Sequence, residues 1–171
     1  MHPPALTLAV RGTPGPQGSK SHKGGGRMVE SSAKVKPWRE AVRHAAVIAV
    51  EATPGWQRLD GPLRLDVVFF FDRPKSHFGT GRNADVLKAS APATPIAAPD
   101  LSKLIRSTED AITDSGAWHD DSRVAVVTAA KRWVHDPYDP FGVLDSPGAL
   151  DTPGALIRIW HLATPHQETT P

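Results

Sequence analysis

Three carboxylates stand where the chain changes direction. Asp100 follows Pro99 and opens the run Asp100-Leu-Ser-Lys-Leu-Ile-Arg106, while Asp120 and Asp121 lie together in Trp118-His-Asp-Asp-Ser-Arg-Val124. The first run has apolar residues at helical spacing, so Asp100 is expected at the start of a helix. The pair comes just before an apolar segment that reads as a strand. Carboxylates at element ends, with basic flanks and no cysteine, form the residue set that Mg²⁺-dependent phosphodiester chemistry uses. Hard divalent cations take oxygen ligands, and Mg²⁺ is typically held by one or two carboxylates plus substrate phosphate and water. Each acid also has an ordinary reading: Asp100 as a helix N-cap accepting backbone N–H bonds, and Asp120-Asp121 as turn residues.

Two helical turns give these acids their cationic neighbours. Lys103 falls on the side of Asp100, where phosphate contact is its better reading. Arg106 is either a plain partner of Asp110 at i+4 or a guanidinium for phosphate. Net charge is only +2, too small to argue for nucleic acid, but its distribution is uneven. Arg11, Lys20, Lys23, Arg27, Lys34, Lys36, Arg39 and Arg43 face only Glu30 and Glu40 over that stretch, while acids gather over 100–121. A basic surface beside an acidic site suits gripping phosphates and cutting between them.

The elements that must position these residues follow from pattern. Leu6–Arg11 alternates as a first strand. Gly12–Gly26 reads as a mobile loop, and Arg27–Ser31 as a short edge strand. A helix begins near Pro37 with Trp38, Val42, Ala45 and Ala49 on one stripe. Leu63–Phe71 turns from alternation into a continuous apolar run, the mark of a central strand buried on both faces. Residues 73–99 form a long basic loop with Lys75, His77, Arg82 and Lys88, readable as a DNA-contacting arm or as a flexible insertion. A second helix spans 100–113, with Ser107 and Asp110 on its polar side, and Asp114-Ser-Gly116 stops it. Strands follow at 123–128, continuing toward Trp133, and at 155–161. The expected fold is α+β: a small mixed sheet of about four or five strands with two packed helices.

At 171 residues the chain fits one domain, expected over 1–162 with a disordered tail at 163–171. No apolar run approaches a membrane span and Met1-His-Pro-Pro leads directly into a strand pattern, so no membrane partner and a cytoplasmic location are expected. No cysteine means no disulfide, thiolate zinc site or cysteine nucleophile.

The motif Pro99-Asp-Leu-x-Lys-Leu-x-Arg-Ser-Thr-x-Asp-Ala-Ile112, followed by Trp118-x-Asp-Asp-Ser-x-Val124, closely resembles the RusA family of Holliday-junction resolvases from phages and prophages. The resemblance covers about residues 6–162, with the loop carrying Lys75–Arg82 similar to an actinobacterial-phage branch. It implies a homodimer that binds four-way or branched DNA and resolves it by paired symmetric nicks in recombination and repair. Mg²⁺ is the implied cofactor, with Mn²⁺ as a substitute. The family's catalytic aspartates fall on Asp100 and Asp121, with Asp120 beside the latter, and a family lysine falls on Arg106. The second member of the family's Asp-x-Asp falls on Ser102, a neutral and weak ligand, so Asp120 or a Ser102-held water is left to complete the metal shell. Expected DNA contacts, from the distribution of cations, are Lys103, Arg106, Lys20, Lys23, Arg27, Lys75, His77, Arg82 and Lys88. Loss of the second aspartate leaves two alternatives open: a branched-DNA binding module without cleavage, and an interaction protein that uses its long loop.

Overall fold

The nine residues Leu63–Phe71 form strand β4, and they explain the rest of the packing. Leu63, Leu65, Val67 and Phe69 are buried against the helices, while Val68 and Phe70 are buried on the opposite face with Leu150 and Leu156. Two buried faces are why the alternation gives way to an unbroken apolar run. The structure is a computed structural model that describes residues 2–18, 20–22, 28–30, 33–135 and 150–162, with backbone alone for the two short segments.

Strand β1 (Leu6–Arg11) pairs antiparallel with β6 (Gly154–His161), and β6 pairs antiparallel with β4. Strand β5 (Val124–Trp133) runs parallel to β4, giving a mixed four-stranded sheet in the order β1-β6-β4-β5. Helices α1 (Val35–Glu51) and α2 (Leu101–Ser115) cover one face. The α+β expectation holds. Two loop expectations change. Lys20–His22 (β2), inside what reads as a mobile loop, pairs with Met28–Glu30 (β3), which falls within the short strand expected over Arg27–Ser31, as a small separate sheet. Three residues between glycines and lysines give β2 no period to read. Pro14 and Gly15 are buried, and the Gln17 N–H donates to Lys103 O at 2.9 Å, so this stretch is docked on α2. A Cβ at Gly15 would run into the Lys34 carbonyl, which only glycine avoids. The tail at 163–171, along with Lys23 and Arg27, lies outside the described residues.

Helix α2 is the crossover between parallel strands β4 and β5, so it runs opposite to β5. Lys131, near the end of β5, donates from Nζ to Pro99 O at 3.1 Å. The N-terminus of α2 is therefore at the far end of β5, and its C-terminus is beside the start of that strand. Gly116 closes the helix in the left-handed region at φ 75°, where a side chain would be strained. Rotation of α2 about its axis is fixed by a buried stripe of Leu104, Thr108, Ala111 and Ile112. Ser107 is also fully buried, contrary to its expected place on the polar side. Between the helices, Trp38 Nε1 donates to Thr108 Oγ1 at 3.1 Å, and Thr108 Oγ1 donates in turn to Leu104 O.

Replacing Thr108 by Val keeps the volume but leaves the indole N–H of Trp38 buried without an acceptor. That should cost about 1–3 kcal/mol. Urea unfolding should show a lower midpoint at unchanged slope; an unchanged midpoint would contradict the role given to this bond.

Candidate metal and DNA site on helix α2

With its apolar stripe fixed against the sheet, α2 sets Ser102, Arg106, Glu109 and Thr113 at i, i+4, i+7 and i+11, one line along the opposite side. Ser102 and Arg106 are exposed, while Glu109 and Thr113 are partly buried, Thr113 Oγ1 accepting from Trp118 Nε1 at 2.7 Å. Asp100 is at the N-cap position with extended backbone (φ −66°, ψ 135°), as expected, but its carboxylate makes no capping hydrogen bond. Lys103 Nζ stands 3.3 Å from Asp100 Oδ2, and that exposed pair holds the carboxylate over the first turn instead. An exposed pair of this kind is weak and readily exchanged for another partner. Ser102 is exposed in the same turn.

Asp120 and Asp121 are at the opposite end. Together with Asp110, Thr113, Asp114 and Arg39 they line an open cleft of about 340 Å³ at the C-terminal part of α2. Asp120 caps the short 3-10 turn Asp121–Arg123, accepting from the Ser122 N–H at 2.9 Å. Hydrogen bonds from Ser122, with help from His119 and Arg123, hold its carboxyl below the usual range. Arg39 reaches across from α1 to Asp114 at 2.6 Å and Asp110 at 3.4 Å. Asp110 therefore pairs with Arg39 rather than with Arg106. Among the described residues the Asp121 carboxylate and the Arg106 guanidinium make no hydrogen bond or ion pair, and both are exposed.

Glu109 is the site residue that sequence reasoning missed. Burial pushes its carboxyl up to about 7, and the charges of Asp121 and then Asp110 push the same way. Its signal was available: a glutamate bordering the apolar stripe seven residues after Ser102. Spacing along one strand of text, however, does not show that Asp121 comes back beside it.

The implied ligands are thus not gathered in one place. About 15 Å of helix separates Asp100 from Asp110, and among the described residues no three of His, Cys, Asp or Glu are close enough to enclose a metal ion within one protomer. Asp120 and Asp121 come together with Glu109; Asp100, Ser102 and Lys103 form a separate group. The cations divide similarly. Lys75 and Arg82 are exposed on the long loop, Lys88 Nζ donates to Ser76 O at 2.8 Å, and His77 is half-buried against Trp133. Lys20 is in β2. Arg11 and Arg43, counted in the basic flank, pair with Asp151 and Glu40.

Compared with known proteins, residues 11–138 match the family described as Endodeoxyribonuclease RusA. No curated protein matches the chain. No helix among the described residues is long and apolar enough to cross a membrane.

Since the carboxyl of Glu109 titrates near 7 in the fold and near 4.5 ordinarily, its contribution to stability is complete below about pH 4.5 and is lost as pH rises through 7. Glu109→Gln should therefore gain stability over the parent by about 1–3 kcal/mol on going from pH 4 to pH 8 in EDTA. Equal gaps between variant and parent at both pH values would contradict this.

Proposed function

We propose that this chain, which belongs to the RusA family of endodeoxyribonucleases, resolves four-way DNA junctions as a divalent-metal-dependent homodimer. Members of that family are Holliday-junction resolvases acting on branched DNA. Paired symmetric nicks need two equivalent sites in fixed register, which a two-fold dimer supplies. Action in the cytoplasm or nucleoid belongs to the same reading.

One observation carries the finer proposal: the two acidic groups lie at opposite ends of α2. Two copies of α2 packed antiparallel about an axis near residues 107–108 would set Arg106 against Glu109 of the second copy, and Asp100 beside Asp121 of the second copy. Each dimer would then have two composite sites. Strand β5 supports this arrangement. It is an edge strand with no partner on its outer side among the described residues, and Val126 and Val127 are 44% and 43% exposed. Antiparallel pairing of two β5 edges would carry the α2 helices into antiparallel contact, and would cover an edge that otherwise invites association.

The donors suit a hard divalent cation. All are carboxylate oxygens, Asp121 has no ion pair among the described residues, and burial, then the charges of Asp121 and Asp110, push the Glu109 carboxyl up to about 7. Asp121 and Asp100 of the second copy would hold the ion, which when bound supplies charge stabilisation at the scissile phosphate and a more acidic water. Asp120 is a positioning residue in this scheme, because its carboxylate fixes the turn that presents Asp121. Arg106 has its planar donors free for a phosphate oxygen or for the charge that develops on it. Lys103 keeps Asp100 oriented until phosphate arrives. Ser102 contributes no charge, which favours a second reading: a branched-DNA binding module that does not cut.

Asp100→Asn and Asp121→Asn should each lower Mg²⁺-dependent nicking of a labelled mobile junction by about 100-fold or more. Junction binding in EDTA should be unchanged or tighter, since a repelling charge is gone. Either variant cutting at the parental rate would remove that residue from the metal site. Parental protein that binds the junction but nicks it with neither Mg²⁺ nor Mn²⁺ would establish the non-cutting reading. Ser102→Asp, placed where a helix N-terminus favours an anion, should lower the Mg²⁺ concentration for half-maximal cleavage. Equal metal dependence would place residue 102 outside the shell.

A further inference from the structure

The segment between β4 and α2 reads as a flexible insertion by composition, yet it is a built object. Arg73 lies over the Trp133 ring with its guanidinium carbon 5.1 Å from the centroid, and both Arg73 Nη1 and Trp133 Nε1 donate to Pro92 O, at 3.0 and 3.1 Å. His77 meets the same ring edge-on at 5.3 Å. Trp133, at the end of β5, is thus the socket in which the segment is seated. Lys131 fastens its far end through Ala97 O and Pro99 O.

From this base a miniature hairpin projects. Phe78 and Leu87 form an antiparallel bridge, with Gly79 N–H donating to Val86 O and Lys88 N–H to His77 O, both at 2.9 Å. The tip closes through the 3-10 turn Gly81–Asn83. Gly79 is needed for this closure, because a Cβ there would stand 2.5 Å from Asn83 O. The hairpin holds two adjacent large apolar side chains in solvent, Val86 at 58% and Leu87 at 44% exposed. Lys75, Arg82 and Lys88 are exposed on the same segment, with Asp85 the only acid between Lys75 and Lys88.

Val86 and Leu87, held out on a braced tip, stay exposed in their own fold, and the excess of cations along the same segment would oppose docking on a basic protein surface. Charge complementarity points to DNA. In duplex DNA such side chains would find only stacked bases. At the centre of a four-way junction the terminal base pairs of each arm are already partly unstacked, and inserting an apolar wedge there costs less than in a continuous stack. We propose that Val86 and Leu87 are a wedge for the branch point of a DNA junction, with Lys75 and Arg82 on the flanking phosphates. The proposal rests on the function given above and adds how the substrate is told from linear duplex. It also accounts for the placement of the arm. The arm is seated on the end of β5 that adjoins Asp100, so a wedged branch point would lie beside a cleavage site.

The test uses the full chain, in EDTA, with a four-way junction carrying 2-aminopurine at the branch point and a linear duplex of equal length. Parental protein should raise the fluorescence of the junction and leave that of the duplex unchanged. The double variant Val86→Ser with Leu87→Ser should lose the fluorescence rise and about tenfold in junction affinity, while duplex affinity stays within about twofold. Its log–log salt slope should be parental, because no phosphate contact is removed. Arg82→Gln should do the reverse, flattening the slope by about 0.9 and keeping the fluorescence rise. Both sites are exposed, and far-ultraviolet circular dichroism verifies the fold. Junction binding by parental protein without a fluorescence rise, or a rise retained by the double variant, overturns the wedge. No junction binding at all by parental protein sinks the functional reading, and the wedge with it.

Discussion

Helix α2 can bury only one stripe, and the buried bond from Trp38 to Thr108 holds that stripe in place. Nearly everything else about the candidate site depends on this. Once Leu104, Thr108, Ala111 and Ile112 face the sheet, the opposite line of Ser102, Arg106, Glu109 and Thr113 has no freedom to turn. The crossover from β4 to the parallel strand β5 then settles which end of the helix meets which end of the sheet. Rotation and polarity together separate Asp100 from Asp121, although a linear motif joins them.

That separation gives physical meaning to features that otherwise look incidental. Arg39 neutralises Asp110 and Asp114, Asp120 is consumed in capping its own turn, and yet Asp121 is left uncompensated beside a glutamate pushed up to about 7. A fold seeking stability alone would pair those charges. At the other end Asp100 is held by Lys103 alone, in a pair weak enough to yield to a ligand. Each half has carboxylate to spare and neither is a complete metal shell. In the proposed dimer the outer edge of β5, with its exposed Val126 and Val127, would supply the surface that brings the two halves together.

Much of the fold was legible because burial writes itself as period. Leu63–Phe71 was read to the residue, since a strand covered on both faces must be apolar throughout. Helix α2 and the last strand were placed to within two residues. What failed to show were arrangements made by contacts distant in sequence. Strand β2 is too short for a pattern, and only its partner β3 was legible, within Arg27–Ser31. The arm has no period at all, and its order comes from Arg73, His77 and Pro92 meeting Trp133 some forty to sixty positions later. Asp100 was expected to cap its helix with its own carboxylate, and the nearby lysine took it instead. The family resemblance singles out Asp100 and Asp121 as candidates, but a motif is one-dimensional. It cannot say whether two acids separated by a whole helix meet in one chain or between two.

Whether the site is shared between protomers is open to direct measurement. Asp100→Asn and Asp121→Asn proteins, each inactive alone, are mixed in equal amounts, allowed to exchange subunits, and assayed on a junction with Mg²⁺. A mixed dimer with shared sites has one site carrying both substitutions and one carrying neither. Random exchange should therefore restore about a quarter of the parental nicking sites, as single nicks rather than paired ones. If both acids act within one protomer, every site in the mixed dimer lacks one of them. No recovery of nicking after demonstrated subunit exchange would contradict the shared site.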